Sequence, residues 1–141
     1  KLSQEKFQVY TLLSDGELGE GSNWEAILFA AHHQLENLIA IVDYNKLQSL
    51  GTVEDTLSIE PFGSKWAAFG WNVIEVDGHS HCEIKQGLEE AKTVQTKPTA
   101  ILAHTIKGKG VSFMENNNEW HHNRITKNVY ERILEEWQQN A

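Results

Sequence analysis

Asp15 and Asn45 stand 30 positions apart, each at the polar end of an apolar, strand-like run. If those strands are neighbours, a carboxylate and an amide oxygen converge. With a backbone carbonyl and water they form a hard-oxygen set suited to Mg²⁺ or Ca²⁺. Gly16, Gly19 and Gly21 flank the start of the next predicted helix, where backbone N–H groups can bind phosphate oxygens. A divalent ion beside such a loop suits a metal-bridged diphosphate, although the loop matches neither of the common phosphate or dinucleotide fingerprints. Two more polar clusters end strands, Asp77-Gly78-His79 and Lys107-Gly108-Lys109-Gly110. Taken singly, each is an ordinary turn, because Asp, Asn and Gly terminate strands widely. Together with Ser14-Asp15-Gly16 and Asp43-Tyr44-Asn45 they point to one site built from four strand ends.

Other chemistries are less well served. Adjacent His32 and His33 point their rings apart on a helix and read as structural, and no Cys/His zinc set is present. No positioned nucleophile supports a plain Mg²⁺-dependent phosphate enzyme. Read alone, Lys107 and Lys109 are a solvated loop and His121-His122 a solvated or packing pair. Ser22 followed by Glu25 fits a capping box.

The elements that must position these residues alternate. Strands are predicted at Phe7–Leu13, Leu38–Asp43, Trp71–Val76 and Thr99–Thr105. Helices are predicted at Trp24–Ala31, Pro61–Phe69, Cys82–Val94 and Lys127–Gln138, with Lys46–Ile59 as a loop. The order β-α-β-α-β-α-β-α predicts an α/β fold, a parallel sheet flanked by helices on both faces. Such sheets bind ligands beyond the C-terminal ends of their strands.

Composition sets the bounds. The 141 residues suit a single domain over 1–141, and 40% hydrophobic residues suffice for a core. A net charge of −8 argues against a broad nucleic-acid surface but not against small anions held by a few local donors. Cys82 is the single cysteine, which excludes an internal disulfide framework and predicts a reducing, cytoplasmic setting. No apolar run reaches the roughly 20 residues of a membrane span, and Lys1–Tyr10 has no signal-peptide pattern.

The run from Ser14 to Ala26, followed by Asn37-Leu38-Ile39-Ala40-Ile41-Val42-Asp43-Tyr44-Asn45-Lys46, resembles the thiamine-diphosphate motif of transketolases. In that motif a Gly-Asp-Gly triplet precedes an Asn by about thirty residues. Phe69-Gly70-Trp71, Val76-Asp77-Gly78-His79, the run from Ile106 to Glu115 and Trp120-His121 follow in the family's order. The resemblance covers nearly the whole chain and is strongest to separately encoded N-terminal transketolase subunits.

What the resemblance implies is specific. The chain would be an incomplete diphosphate-binding domain of the thiamine-diphosphate-binding fold. Asp15 and Asn45 would ligate Mg²⁺ (or Ca²⁺) through side chains, and Leu47 through its carbonyl. Gly16 would offer its N–H to the diphosphate. Lys107 and His121 would approach the diphosphate and the substrate, with His121 as the catalytic residue. Glu20 and Glu25 would lie at a subunit interface near the cofactor. The whole enzyme would transfer a two-carbon ketol unit from a ketose phosphate to an aldose phosphate. It would act with a C-terminal transketolase subunit or the remainder of the enzyme, as a homodimer or a dimer of heterodimers. Ser14 replaces the first Gly of the triplet, and His122 stands where many relatives have Gly. The family's upstream histidines, its sugar-phosphate arginines and its aminopyrimidine domain have no counterpart here, so the chain alone should be inactive. The alternatives are a 1-deoxyxylulose-5-phosphate synthase-like enzyme and a non-catalytic remnant or assembly subunit. Trp24-Glu25-Ala26 and Trp120-His121 favour transketolase.

Overall fold

A computed structural model describes residues 6–139. The first half of the described chain runs β1 (Val9–Ser14), α1 (Gly21–His32), β2 (Leu38–Tyr44), β3 (Leu47–Gln48), β4 (Gly51–Thr52), α2 (Val53–Leu57) and α3 (Phe62–Ala68). It continues with β5 (Asn72–Asp77), α4 (His81–Thr93), β6 (Thr99–His104) and α5 (Lys127–Gln139). Short 3-10 turns cover Gly16–Gly19 and Asn118–His121. The first half of the Lys1–Tyr10 run lies outside the described residues.

Four strands form one parallel sheet in the order β1-β2-β6-β5. The register pairs Ser14 with Asp43, Tyr44 with His104, and Asp77 with His104. All four polar strand ends therefore lie on one rim, as the sequence predicts.

Alternation along the central strands splits their side chains between two layers. Ala40, Val42, Tyr44, Ala100 and Leu102 pack with Ile27 and Ala30 of α1 and with Phe62 and Trp66 of α3. Ile39, Ile74, Val76, Ile101 and Ala103 pack with Ala91 of α4, flanked by Ile84 and Leu88. Helices thus cover both faces. The steps from β1 to β2 and from β2 to β5 run one way across the sheet and use one face; the return to β6 uses the other. That alternation follows from a single handedness of crossover. Trp66 is fully buried and meets Trp71 edge-on at 4.8 Å. The Trp71 indole N–H donates to the Ile27 carbonyl at 2.9 Å, satisfying the polar end of a buried ring.

Two expectations need correction. The Ser22–Glu25 capping box does not form: α1 starts at Gly21 with Glu20 in the N-cap position and no side-chain cap bond. The 3-10 turn before it pulls the helix start forward, leaving Ser22 inside the first turn. Asn23 Nδ2 instead donates to the Glu17 carbonyl at 2.7 Å, and Trp24 Nε1 to the Leu18 carbonyl at 2.8 Å. The predicted loop at Lys46–Ile59 contains the β3–β4 hairpin and α2. The Thr52 hydroxyl caps α2 by accepting the Asp55 N–H at 3.0 Å.

Candidate functional site

Asp15 closes β1 and is 1% exposed. Its Oδ1 accepts the Gly16 N–H at 2.7 Å, capping the 3-10 turn, and its Oδ2 accepts the Lys46 N–H from the loop after β2. The Asp15 N–H in turn donates to the Asp43 carbonyl at 3.3 Å. One carboxylate thereby ties the β1 turn to the β2 turn. Burial raises the Asp15 pKa above the ordinary aspartate value, against the pull of its two N–H bonds. A carboxylate held in this way favours a nearby cation, which would offset the cost of keeping its charge out of water.

Asn45 is half-buried at the end of β2, and its Oδ1 accepts the Leu47 N–H at 2.9 Å. Asp and Asn oxygens each have more lone-pair capacity than these N–H bonds use. Both can still serve a cation. Asn45 lies between two clefts. One, of about 510 Å³, is lined by Asp43, Asn45, His79, Thr105, Lys107 and Gly108 among others. The other, of about 640 Å³, is lined by Tyr44, Asn45, Leu47, Glu60 and His104 among others. Thr105 lines both clefts, and its hydroxyl donates to Asp43 Oδ1 in the smaller one.

The loop after β6 presents Lys107. Gly108 has φ +74, and a Cβ there would sit 2.6 Å from the Met114 carbonyl oxygen. Only glycine permits that approach, and the approach fixes the loop beside Lys107. Lys109 pairs with Glu115 at 3.4 Å, and Glu115 also accepts the Gly110 N–H at 3.0 Å. Lys107 has no ion-pair partner among the described residues. Of the two lysines it is therefore the one available to an anion in the cleft.

His121 ends the second 3-10 turn and is exposed, its ring 4.6 Å from that of His122 and edge-on to it. Partial desolvation, then the Lys107 ammonium and His122, hold its pKa below the ordinary histidine value. Lys107 also acts on Asp15, as a small downward pull against the burial that leaves its pKa raised. The Lys107 charge is thus felt at Asp15 on one side and at His121 on the other. The His121 turn is further joined to the β3–β4 hairpin, because Asn118 Nδ2 donates to the Ser49 carbonyl at 3.1 Å.

The residues present fit a metal-bridged diphosphate. They supply one carboxylate, one amide oxygen, a cleft at the strand ends and an unpaired ammonium. Among the described residues no group of three or more His, Cys, Asp and Glu side chains converges, so no zinc-type cluster competes with this set.

Comparison with known proteins gives the family. The sequence model described as transketolase, thiamine diphosphate binding domain, matches residues 3–139. The chain belongs to this transketolase family. It is 44% identical over 128 residues to a 6-deoxy-6-sulfo-D-fructose transketolase subunit of a Clostridium strain, covering 91% of this chain and 46% of that protein. It is 45% identical over 138 residues to an apulose-4-phosphate transketolase subunit of Actinobacillus succinogenes, covering 96% of this chain and 49% of that one. Among solved structures, Campylobacter jejuni transketolase superposes with a TM-score of 0.85 at 33% identity, over 92% of this chain and 20% of the other. The chain therefore spans about half the length of these subunit relatives and about a fifth of that solved transketolase. Its fold is the α/β thiamine-diphosphate-binding fold.

Of the residues singled out from the sequence, Asn45 and Lys107 line one cleft, Asp15 lies behind the Lys46 peptide, and Leu47 lines the neighbouring cleft. Gly16 donates its N–H to Asp15. Glu20 and Glu25 are exposed at the start of α1, away from the cleft lining. The rings of His32 and His33, expected to point apart, instead meet edge-on at 4.9 Å, because α1 ends at His32 and His33 leaves the helical path to pack on Phe29. Asp43, His79 and Thr105 also line the cleft, and sequence reasoning gives them no role. The polar ends of their strands are the signal available for the first two.

Proposed function

We propose that this chain holds the diphosphate and metal ion in a transketolase-type enzyme. With its C-terminal subunit or the rest of the enzyme, it transfers a two-carbon ketol unit from a ketose phosphate to an aldose phosphate. The observation that carries the reading is the convergence of Asn45 and Lys107 on one cleft, with Asp15 bonded to the adjacent Lys46 peptide.

Thiamine diphosphate, when bound, supplies the carbanion chemistry of ketol transfer. Asp15, Asn45 and the Leu47 carbonyl hold Mg²⁺ (or Ca²⁺), with Asp15 supplying the full negative charge. The Lys107 ammonium would orient the diphosphate through a charge-assisted hydrogen bond; the Gly16 N–H expected to join it is already given to Asp15 Oδ1, so Gly16 acts here by fixing that carboxylate. His121, whose pKa is held below the ordinary histidine value by desolvation, Lys107 and His122, would hydrogen-bond the substrate hydroxyl or carbonyl. Glu20 and Glu25, exposed at the start of α1, would face the partner domain. The whole works as an oligomer in the cytoplasm.

Calorimetric titration of thiamine diphosphate at fixed Mg²⁺, in the assembled complex, tests the assignment. Asp15→Ala should abolish measurable binding. Asn45→Ala should weaken it less, because water replaces one neutral oxygen. Lys107→Ala should cost about 1.5–3 kcal/mol of binding, and Lys109→Ala little. Unchanged binding by Asp15→Ala would reject the metal assignment.

A further inference from the structure

His79 has no role in the site as described above, yet it lines the same cleft as Asn45 and Lys107. Its Nε2 accepts the Ile106 N–H at 2.7 Å, across 27 positions of sequence. With Nε2 used as an acceptor, the neutral ring carries its proton on Nδ1. Strand β6 ends at His104; the Thr105 N–H still reaches the Tyr44 carbonyl of β2 at 3.3 Å, but the next amide, that of Ile106, has no strand partner. A side chain from the turn after β5 supplies the acceptor that the ladder no longer provides.

The turn that carries His79 is itself held in place. The Gly78 N–H donates to the His104 carbonyl at 2.8 Å. A Cβ on Gly78 would lie 2.4 Å from Thr105 Cγ2, so glycine is what allows the turn to reach the end of β6. Asp77 Oδ1 accepts the His79 N–H at 2.8 Å, and Glu83 Oε2 accepts the Asp77 N–H at 2.8 Å. On the far side, the Lys107 carbonyl accepts the Asn116 N–H at 2.9 Å. The segment bearing Lys107 is thus fastened once before it, by His79, and once at it, by Asn116.

We propose that His79 is a positioning residue for Lys107. It fixes the Ile106 peptide and thereby aims the ammonium at an anion in the cleft. This rests on the reading of Lys107 as the diphosphate-binding cation, and it extends that reading to a residue on a different strand end.

The test compares His79→Leu, which deletes the acceptor, with His79→Gln, whose amide oxygen restores one. Both are examined in the assembled complex with inorganic pyrophosphate and Mg²⁺ as the probe. Amide exchange at Ile106 is followed without ligand. His79→Leu should speed Ile106 exchange and weaken pyrophosphate about two- to tenfold, the value of one hydrogen bond. His79→Gln should recover most of both. In a double-mutant cycle with Lys107→Ala, the second substitution should add little to the first, because His79 acts through Lys107. Additive losses, or parent-like pyrophosphate affinity in His79→Leu, would overturn the proposal while leaving the Lys107 reading intact. A complex that binds pyrophosphate equally well with and without Lys107 would overturn both, whatever Ile106 exchange reports.

Discussion

The backbone N–H of Lys46 donates to Oδ2 of Asp15, 31 positions earlier in the chain. Through this bond the turns after β1 and β2 are set relative to one another before any ligand arrives. Asp15→Ala should therefore damage the ligand-free fold as well as the site. It leaves the Lys46 and Gly16 amides without their acceptor, at a cost of about 1–3 kcal/mol. Thermal unfolding in chelator measures this directly. Asp15→Ala should melt well below the parent, and Asn45→Ala should melt closer to it. Equal melting of Asp15→Ala and parent would show that the bond contributes nothing.

His121 offers a pH-dependent readout. Its pKa in the folded chain is lowered below the ordinary histidine value of 6.5 by desolvation, Lys107 and His122. As pH falls through 6.5, the unfolded imidazole takes up its proton before the folded one does. The His121 contribution to stability is thus unaffected above that pH and declines below it, through the interval down to the folded value. An NMR titration should place His121 below an ordinary histidine. Lys107→Ala should move it upward by removing one of the like charges. An unmoved titration would separate Lys107 from His121.

Two glycines in the loop after β6 should respond differently to alanine. Both have positive φ, +74 at Gly108 and +92 at Gly110, so both substitutions strain the backbone by about 1–2 kcal/mol. At Gly108 the new Cβ also collides with the Met114 carbonyl, whereas at Gly110 it meets open space. Gly108→Ala should lose more stability and should weaken thiamine diphosphate binding in the complex. Gly110→Ala should keep binding near that of the parent. Chemical denaturation and calorimetry on both variants decide it, and a reversed order would contradict the loop geometry.

Association should depend on apolar surface that the described fold leaves open. Tyr10 and Leu12 on edge strand β1 are 48% and 73% exposed, and Leu28 and Phe29 on α1 are 57% and 61% exposed. Light scattering should show this chain joining a C-terminal transketolase subunit, with Phe29→Lys weakening the complex roughly tenfold or more, as for a buried aromatic anchor. The isolated chain should give no ketol transfer with thiamine diphosphate, Mg²⁺ and a ketose–aldose pair. Turnover by the chain alone would show that no partner is needed.

The sheet and its rim were legible because long-range order followed from local pattern. The apolar run ending in Asp43 marked a buried parallel strand, the alternation of strands and helices implied that the others lay parallel to it, and the polar ends fell together once the strands were paired. The hairpin at Leu47–Gln48 and Gly51–Thr52 was not legible, since two-residue strands carry no periodicity. Helix α2 did have a signal, the Thr52-to-Asp55 spacing of a cap, within a stretch too short to suggest a helix. Ser22 misled for the opposite reason: a good cap pattern was overruled by the preceding 3-10 turn, to whose carbonyls Asn23 and Trp24 are bonded. The contact from His79 to Ile106 depends on β5 and β6 being neighbours, which their spacing alone does not dictate.

Helix α5 meets the body of the protein at the loop that carries Lys107. The Trp137 indole N–H donates to the Gly110 carbonyl at 2.7 Å, Glu136 accepts from the Ser112 N–H at 2.6 Å, and the Arg132 guanidinium lies 3.8 Å over the Phe113 ring. The indole thus sits one hydrogen bond from the loop whose Lys107 is proposed to meet the anion. Trp137 is one of five tryptophans, so the part of the emission lost in Trp137→Phe is the part that would follow the cleft as it fills, without any attached dye.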